Sequence, residues 1–153
     1  MQSYRTYLTD RKFILSFLSG LVLLASSLLV QFFVTDYVTR QVSSPVTDIV
    51  LSNTRAYDVG GIFVWGSVLL TIITVFILLI KLNYAPFVVK SIALFTLIRS
   101  VFVSITHISP FPTRIAIDST FFTKEVFSGI FTGNDLFFSG HTGTPFLLAL
   151  IFW

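Results

Sequence analysis

Apolar stretches and polar segments alternate along this chain on the length scale of a lipid bilayer. Phe13 to Val34 is 22 residues without a charged side chain, and Gly60 to Ile80 is another 21. Each matches the roughly 20 residues that cross a hydrocarbon core about 30 Å thick. A third stretch, Pro86 to Ile108, has 23 residues and includes Lys90 and Arg99. Pro86 suits a first helical turn, where its missing N–H is no loss. A fourth begins around Thr144 and runs ten residues to Trp153, about 15 Å at 1.5 Å per residue, or half a bilayer. The pattern predicts an all-α, polytopic transmembrane helix bundle with spans at about 13–34, 60–80, 86–108 and 144–153. The first span is too long for the apolar core of a cleavable signal peptide, and no A-x-A site follows it, so it reads as a retained anchor.

Composition agrees with the pattern. The chain has 153 residues, 54% hydrophobic, 16% aromatic and 11% charged, with a mean hydropathy of +0.89. Soluble domains carry about a quarter charged residues, so the polar surface needed to cover a soluble core is missing. A soluble enzyme, a disordered tail and a nucleic-acid binder are all disfavoured. Basic residues form no run, and the net charge is only +3, so nucleic acid is not an expected partner. The absence of Cys excludes disulfides, thiolate metal sites and a cysteine nucleophile.

Basic residues near span ends set the orientation. Arg5, Arg11 and Lys12 precede the first span, and Lys81 and Lys90 flank the start of the third. Segments 35–59 and 109–135 hold four basic residues, Arg40, Arg55, Arg114 and Lys124, against six acidic ones. Residues 1–12 are expected to be a cytoplasmic tail, with both longer loops facing outward. Six of the 18 residues from Phe121 to Phe138 are phenylalanine. They read either as rings lying in the headgroup region or as a lid over lipid tails.

Two features stand out as chemistry. Arg99 lies nine residues before Ile108, roughly 13 Å below the outward end of its span. A mid-span arginine costs at least about 2.5–3.5 kcal/mol. It either snorkels, with Ser100 and Ser104 nearby, or faces inward at the base of a cavity. Thr106 follows two turns later on nearly the same face, and a guanidinium and a hydroxyl stacked on one face suit phosphate oxygens. The second feature is the turn Asp135-Leu136-Phe137-Phe138-Ser139-Gly140-His141-Thr142-Gly143. Glycines and hydroxyls at the start of an apolar helix can cradle an anion, because helix-start N–H groups carry partial positive charge. His141 is the one residue there that exchanges a proton near neutral pH. The plain alternative is a loop-to-helix cap, with Thr142 or Thr144 capping and Pro145 in the first turn.

Phe138-Ser139-Gly140-His141-Thr142 resembles the F-S-G-H-T core of the sphingomyelin synthase family, within the superfamily of type-2 phosphatidic acid phosphatases. Asp135 matches the acidic residue of the family's C-G-D-x-x-F-S-G-H-T, although Gly133-Asn134 stands where the family has Cys-Gly. Pro45-Val46-Thr47-Asp48 is similar to the P-L-P-D or P-L-T-D motif, and Arg99 to Thr106 to R-x-x-x-x-x-x-T, in the right order. The resemblance implies a six-span fold, of which residues 13–153 would be a C-terminally incomplete membrane domain: three complete spans and a truncated fourth. It also implies a phosphotransfer site on the outer face, without metal or cofactor. There His141 would be the acid/base, Arg99, Ser139, Gly140 and Thr142 would bind phosphate, and Asp48, Thr106 and Asp135 would support them.

The family's nucleophilic His and its orienting Asp come from a later H-x-x-x-D motif. Eleven residues follow Thr142, and none is His. The other histidine, His107, precedes the motif and has no Asp four residues on; it reads as an interfacial or site-lining residue. The chain is thus expected to be either the front part of a longer lipid phosphotransferase or phosphatase, inactive alone, or a degenerate relative that binds or scaffolds membrane lipids. Expected partners are phospholipids, with ceramide or diacylglycerol as acceptor. A channel or carrier has less support, since no pair of Gly/Pro-broken spans is present.

Overall fold

The computed structural model of the chain describes residues 4–41, 49–55, 57, 60–106 and 139–153. Among them all regular structure is helical. In chain order come α1 (Tyr4–Thr9), α2 (Arg11–Arg40), α3 (Ile49–Asn53), α4 (Gly60–Ile80), a 3-10 turn (Leu82–Tyr84), α5 (Ala85–Thr106) and α6 (Gly140–Phe152). The four apolar stretches read from the sequence thus fall on α2, α4, α5 and α6. The last helix begins at Gly140, about one turn earlier than the start expected at Thr144.

Local signals explain the boundaries. Asp10 separates α1 from α2, and its carboxylate accepts the Lys12 backbone N–H at 2.9 Å, an N-cap bond. α2 has 30 residues, so it is about 45 Å long. Its charge-free middle is flanked by Arg11 and Lys12 at one end and by the exposed Asp36–Arg40 ion pair (3.0 Å) at the other. Pro86 is the second residue of α5, where a missing N–H costs no helical bond. Two segments, Arg11–Arg40 and Leu82–Thr106, are long and apolar enough to cross a membrane; the apolar part of α4, Val64–Ile80, and α6 are shorter.

α5 is the principal cover of α2. A Cβ built on Gly20 would lie 3.3 Å from Lys90 Cγ, 3.3 Å from Val89 Cγ1 and 3.6 Å from the Pro86 carbonyl oxygen. Backbones therefore approach closely where the early part of α2 meets the early part of α5. Lys90 Nζ donates to Ser16 Oγ at 2.8 Å, one turn back along α2. Ser27, Gln31, Thr35 and Val38, all further along, are also buried. Only a parallel pairing lets α5 cover them all.

The seam inverts the pattern of a soluble protein. Small and hydroxylated side chains lie inside: Gly20, Ser27 and Thr35 on α2, and Ala85, Ala93, Thr96 and Ser100 on α5. Large aliphatic and aromatic ones lie outside, as with Leu15, Val22, Leu29 and Phe33 on the far face of α2. Hydrocarbon solvates leucine as well as a protein core does, so membrane helices associate through close packing of small residues rather than by hiding large ones. The buried hydroxyls bond to their own helices: Ser27 to the Leu24 carbonyl, Thr35 to Gln31, Thr96 to Ile92 and Ser100 to Thr96, all at 2.8–2.9 Å.

α6 packs antiparallel on α5. Gly140 meets Arg99, Gly143 meets Phe95, and the rings of Phe152 and Tyr84 are 6.3 Å apart. Moving forward along α6 therefore means moving back along α5.

Candidate functional site

Arg99 is 7% exposed. Its side chain is covered by protein, which is the inward-facing arrangement and not the snorkelling one. Thr96 and Ser100 beside it are equally enclosed, and their hydroxyls are engaged by their own helix. The cation is thus set among small polar groups about 10 Å below the end of α5 at Thr106.

The start of α6 is brought to that cation. A Cβ built on Gly140 would lie 3.4 Å from Arg99 Nε, 3.7 Å from Cζ and 3.9 Å from Cδ. Residues 41 positions apart in sequence thus meet through a backbone with no side chain of its own. Ser139 is the N-cap by backbone geometry and makes no side-chain capping bond, while its carbonyl accepts the Gly143 N–H at 2.9 Å. Its hydroxyl accepts instead from Thr142 Oγ1 at the long distance of 3.4 Å. Thr142 and Thr144 lie inside the helix and do not cap it, and Pro145 is its sixth residue, not part of its first turn. The cap expected from the sequence is therefore displaced to Ser139. The physical reason is that helical geometry extends back over Gly140 and His141 to the guanidinium.

His141 is exposed at the second position of α6. One turn of helix thus presents a hydroxyl, a backbone approach to a buried cation, and an imidazole. Helix-start N–H groups and a guanidinium are all donors, so the position favours a ligand rich in acceptor oxygens. Among the described residues, no group of three or more His, Cys, Asp or Glu side chains is arranged to hold a metal ion.

Thr106 is not drawn into this cluster. Its hydroxyl donates to the Phe102 carbonyl at 3.0 Å, and seven residues of helix put it about 10 Å above Arg99. Asp48, Asp135, His107 and the Phe121–Phe138 segment lie outside the described residues.

Sequence reasoning missed one contact that builds the site. A Cβ on Gly143 would overlap the Phe95 ring at Cζ and Cε2. Phe95 is one turn before Arg99, and Gly143 nearly one turn after Gly140, so the two glycines form a step that seats α6 on the Phe95–Arg99 face. The signal was two glycines three apart opposite an aromatic and an arginine four apart. It becomes legible only once the helices are known to run antiparallel. Searches against known proteins add no relative: no family model matches the chain, and neither a curated protein nor a solved structure matches it.

Proposed function

We propose that the chain forms the phosphate-binding and acid/base half of an integral-membrane lipid phosphotransferase or phosphatase of the sphingomyelin synthase type. The observation that supports this most is the seat of Gly140 against the Arg99 guanidinium. The resemblance linked those two motifs by order alone, and their meeting is what a shared phosphate site requires.

In this reading the lipid phosphate lies between Arg99 and the start of α6. The guanidinium offsets charge on the phosphate oxygens, and the backbone at Ser139 and Gly140 approaches them. His141 protonates the oxygen that leaves phosphorus and later accepts a proton from the hydroxyl that attacks. Phosphoryl transfer depends mainly on such positioning and charge stabilisation. The nucleophile would come from an H-x-x-x-D segment, which these residues do not contain. Donor candidates are phosphatidic acid, phosphatidylcholine and related phospholipids. The acceptor is a lipid hydroxyl, as of ceramide or diacylglycerol, or water. The site would face outward, with α2 and α5 both running out of the cytoplasm and α4 returning the chain between them as a third span.

The second reading is a membrane lipid-binding or scaffold protein without catalysis. It is favoured by one fact: neither His107 nor His141 is followed by Asp four residues on. Purified chain incubated with fluorescent ceramide and phosphatidylcholine, or with short-chain phosphatidic acid, separates the two. Turnover above a His141→Ala control rejects the scaffold reading. Lipid binding that depends on Arg99 without turnover supports a binding half-site. Binding that is indifferent to Arg99→Gln overturns the phosphate site itself.

A further inference from the structure

Lys90 is a cation within the spans that the proposed site does not use. It is the sixth residue of α5 and is half-buried. Its Cγ lies over Gly20, and its Nζ donates to Ser16 Oγ at 2.8 Å. Ser16 is four residues nearer the start of α2 than Gly20. The side chain thus runs back along α2 and carries the ammonium about 6 Å toward the polar end of the helix. The bond to Ser16 is its one hydrogen bond among the described residues, so two ammonium N–H groups are left to donate.

Lys12 shares this strip. Positions 12, 16 and 20 recur at four-residue spacing, along one side of α2. Lys12 is exposed, and the carboxylate of neighbouring Asp10 accepts its backbone N–H. Neither lysine is in an ion pair among the described residues; the Asp36–Arg40 pair lies at the far end of α2. Two like charges about one turn apart beside hydrocarbon repel, and an anion between them relieves that cost.

Helix periodicity sets where this pair faces. Phe87 and Leu94, three residues before Lys90 and four after it, are exposed on α5, and Leu23, seven residues after Ser16, is exposed on α2. The ammonium therefore lies at the lipid-facing edge of the α2–α5 seam. Arg99 is nine residues beyond Lys90, two and a half turns, so it faces the opposite side of α5, where Gly140 meets it, about 13 Å further along.

We propose that Lys90, Ser16 and Lys12 form a second lipid site, binding the headgroup phosphate of an anionic phospholipid. The lipid belongs to the leaflet at the start of α2 and α5, the cytoplasmic one in the orientation proposed above. Both ammonium groups donate to non-bridging phosphate oxygens, and the Ser16 hydroxyl, which accepts from Lys90, donates its own proton to the same group. The acyl chains lie along Leu23 and Leu94, an apolar edge that suits a lipid and not a free anion. This rests on α2 and α5 spanning the membrane and is independent of what Arg99 binds.

The test measures lipid binding to the full chain in detergent by native mass spectrometry, with phosphatidylglycerol and phosphatidylcholine of the same acyl chains as probes. An Arg99→Gln background removes the contribution of the other site. Phosphatidylglycerol should bind more tightly than phosphatidylcholine. Lys90→Gln and Lys12→Gln should each weaken phosphatidylglycerol about fivefold, leave phosphatidylcholine unchanged and, at position 90, be rescued by Lys90→Arg. Because Lys12 is exposed, its variant tests the site without disturbing the seam. Equal affinity for the two lipids, or unchanged phosphatidylglycerol binding in both glutamine variants, overturns the site. Displacement by free glycerol phosphate as readily as by intact lipid overturns a lipid as its ligand. Selectivity lost on Arg99→Gln alone assigns the lipid to the Arg99 site and overturns the second one; selectivity kept there and lost in Lys90→Gln supports it, whatever becomes of the phosphotransfer reading. A chain that fails to float with phosphatidylcholine vesicles overturns the membrane placement and the site with it.

Discussion

Two glycines three residues apart on α6 face different neighbours and should respond differently to the same substitution. At Gly140 the added methyl would meet the Arg99 side chain at 3.4 Å, an ordinary contact; at Gly143 it would overlap the Phe95 ring. Gly140→Ala should therefore change thermal stability little. Gly143→Ala should cost about 1–3 kcal/mol, as overpacking does, and Phe95→Leu should recover part of the loss. Thermal unfolding of the three variants in detergent checks this; equal effects of the two glycine substitutions would contradict the packing described. Arg99 could be picked out from the sequence because a cation in an apolar span stands out against its surroundings. Gly143 could not, because a glycine near a helix start looks like a capping feature until its neighbour across the interface is known.

At the scale of elements, the α2–α5 pair combines close backbone approach at Gly20 with the Lys90–Ser16 hydrogen bond. Gly20→Ile should wedge the two backbones apart at Pro86–Lys90 and cost about 1–3 kcal/mol by overpacking, read as a lowered unfolding temperature. The exposed Asp36–Arg40 pair makes the opposite case. Its side chains are 51% and 75% exposed, so Arg40→Ala should change stability by less than about 0.5 kcal/mol. The helices themselves were readable from uncharged run length, since each apolar stretch became a helix. Their ends were less so: α2 continues through Asp36 to Arg40 because helical bonding persists after the apolar run stops, and α6 starts early because Gly140 seats on Arg99. The pairing of parallel α2 with α5 was not readable at all, because small-residue seams carry no charge or amphipathic signature.

For the whole molecule, parallel α2 and α5 impose a condition on the chain between them. It must travel back the length of α2, and α4, about 31 Å long at 21 residues, has the reach to do so across a hydrocarbon core. Native Cys is absent, so single introduced cysteines report sidedness directly. In intact cells, Tyr57→Cys should react with an impermeant maleimide, and Asn83→Cys only after permeabilisation. Labelling of both from the same side would rule out the parallel pairing within a membrane.

The antiparallel register of α6 on α5 ties together Gly140 with Arg99, Gly143 with Phe95 and Phe152 with Tyr84. Those three pairings fix a rotational phase as well as a depth. One residue inserted into α5 between Tyr84 and Phe95 would turn Arg99 through about 100° relative to Tyr84, swinging the guanidinium from the α6 side to the buried position that Ser100 holds without changing a single side chain. Seven inserted residues, about two turns, would nearly restore the angle but lift the cation about 10 Å away from the start of α6. The site thus tolerates exchange of residues within these two helices far better than any change in their length, and phase is the property that substitution scanning alone would never reveal.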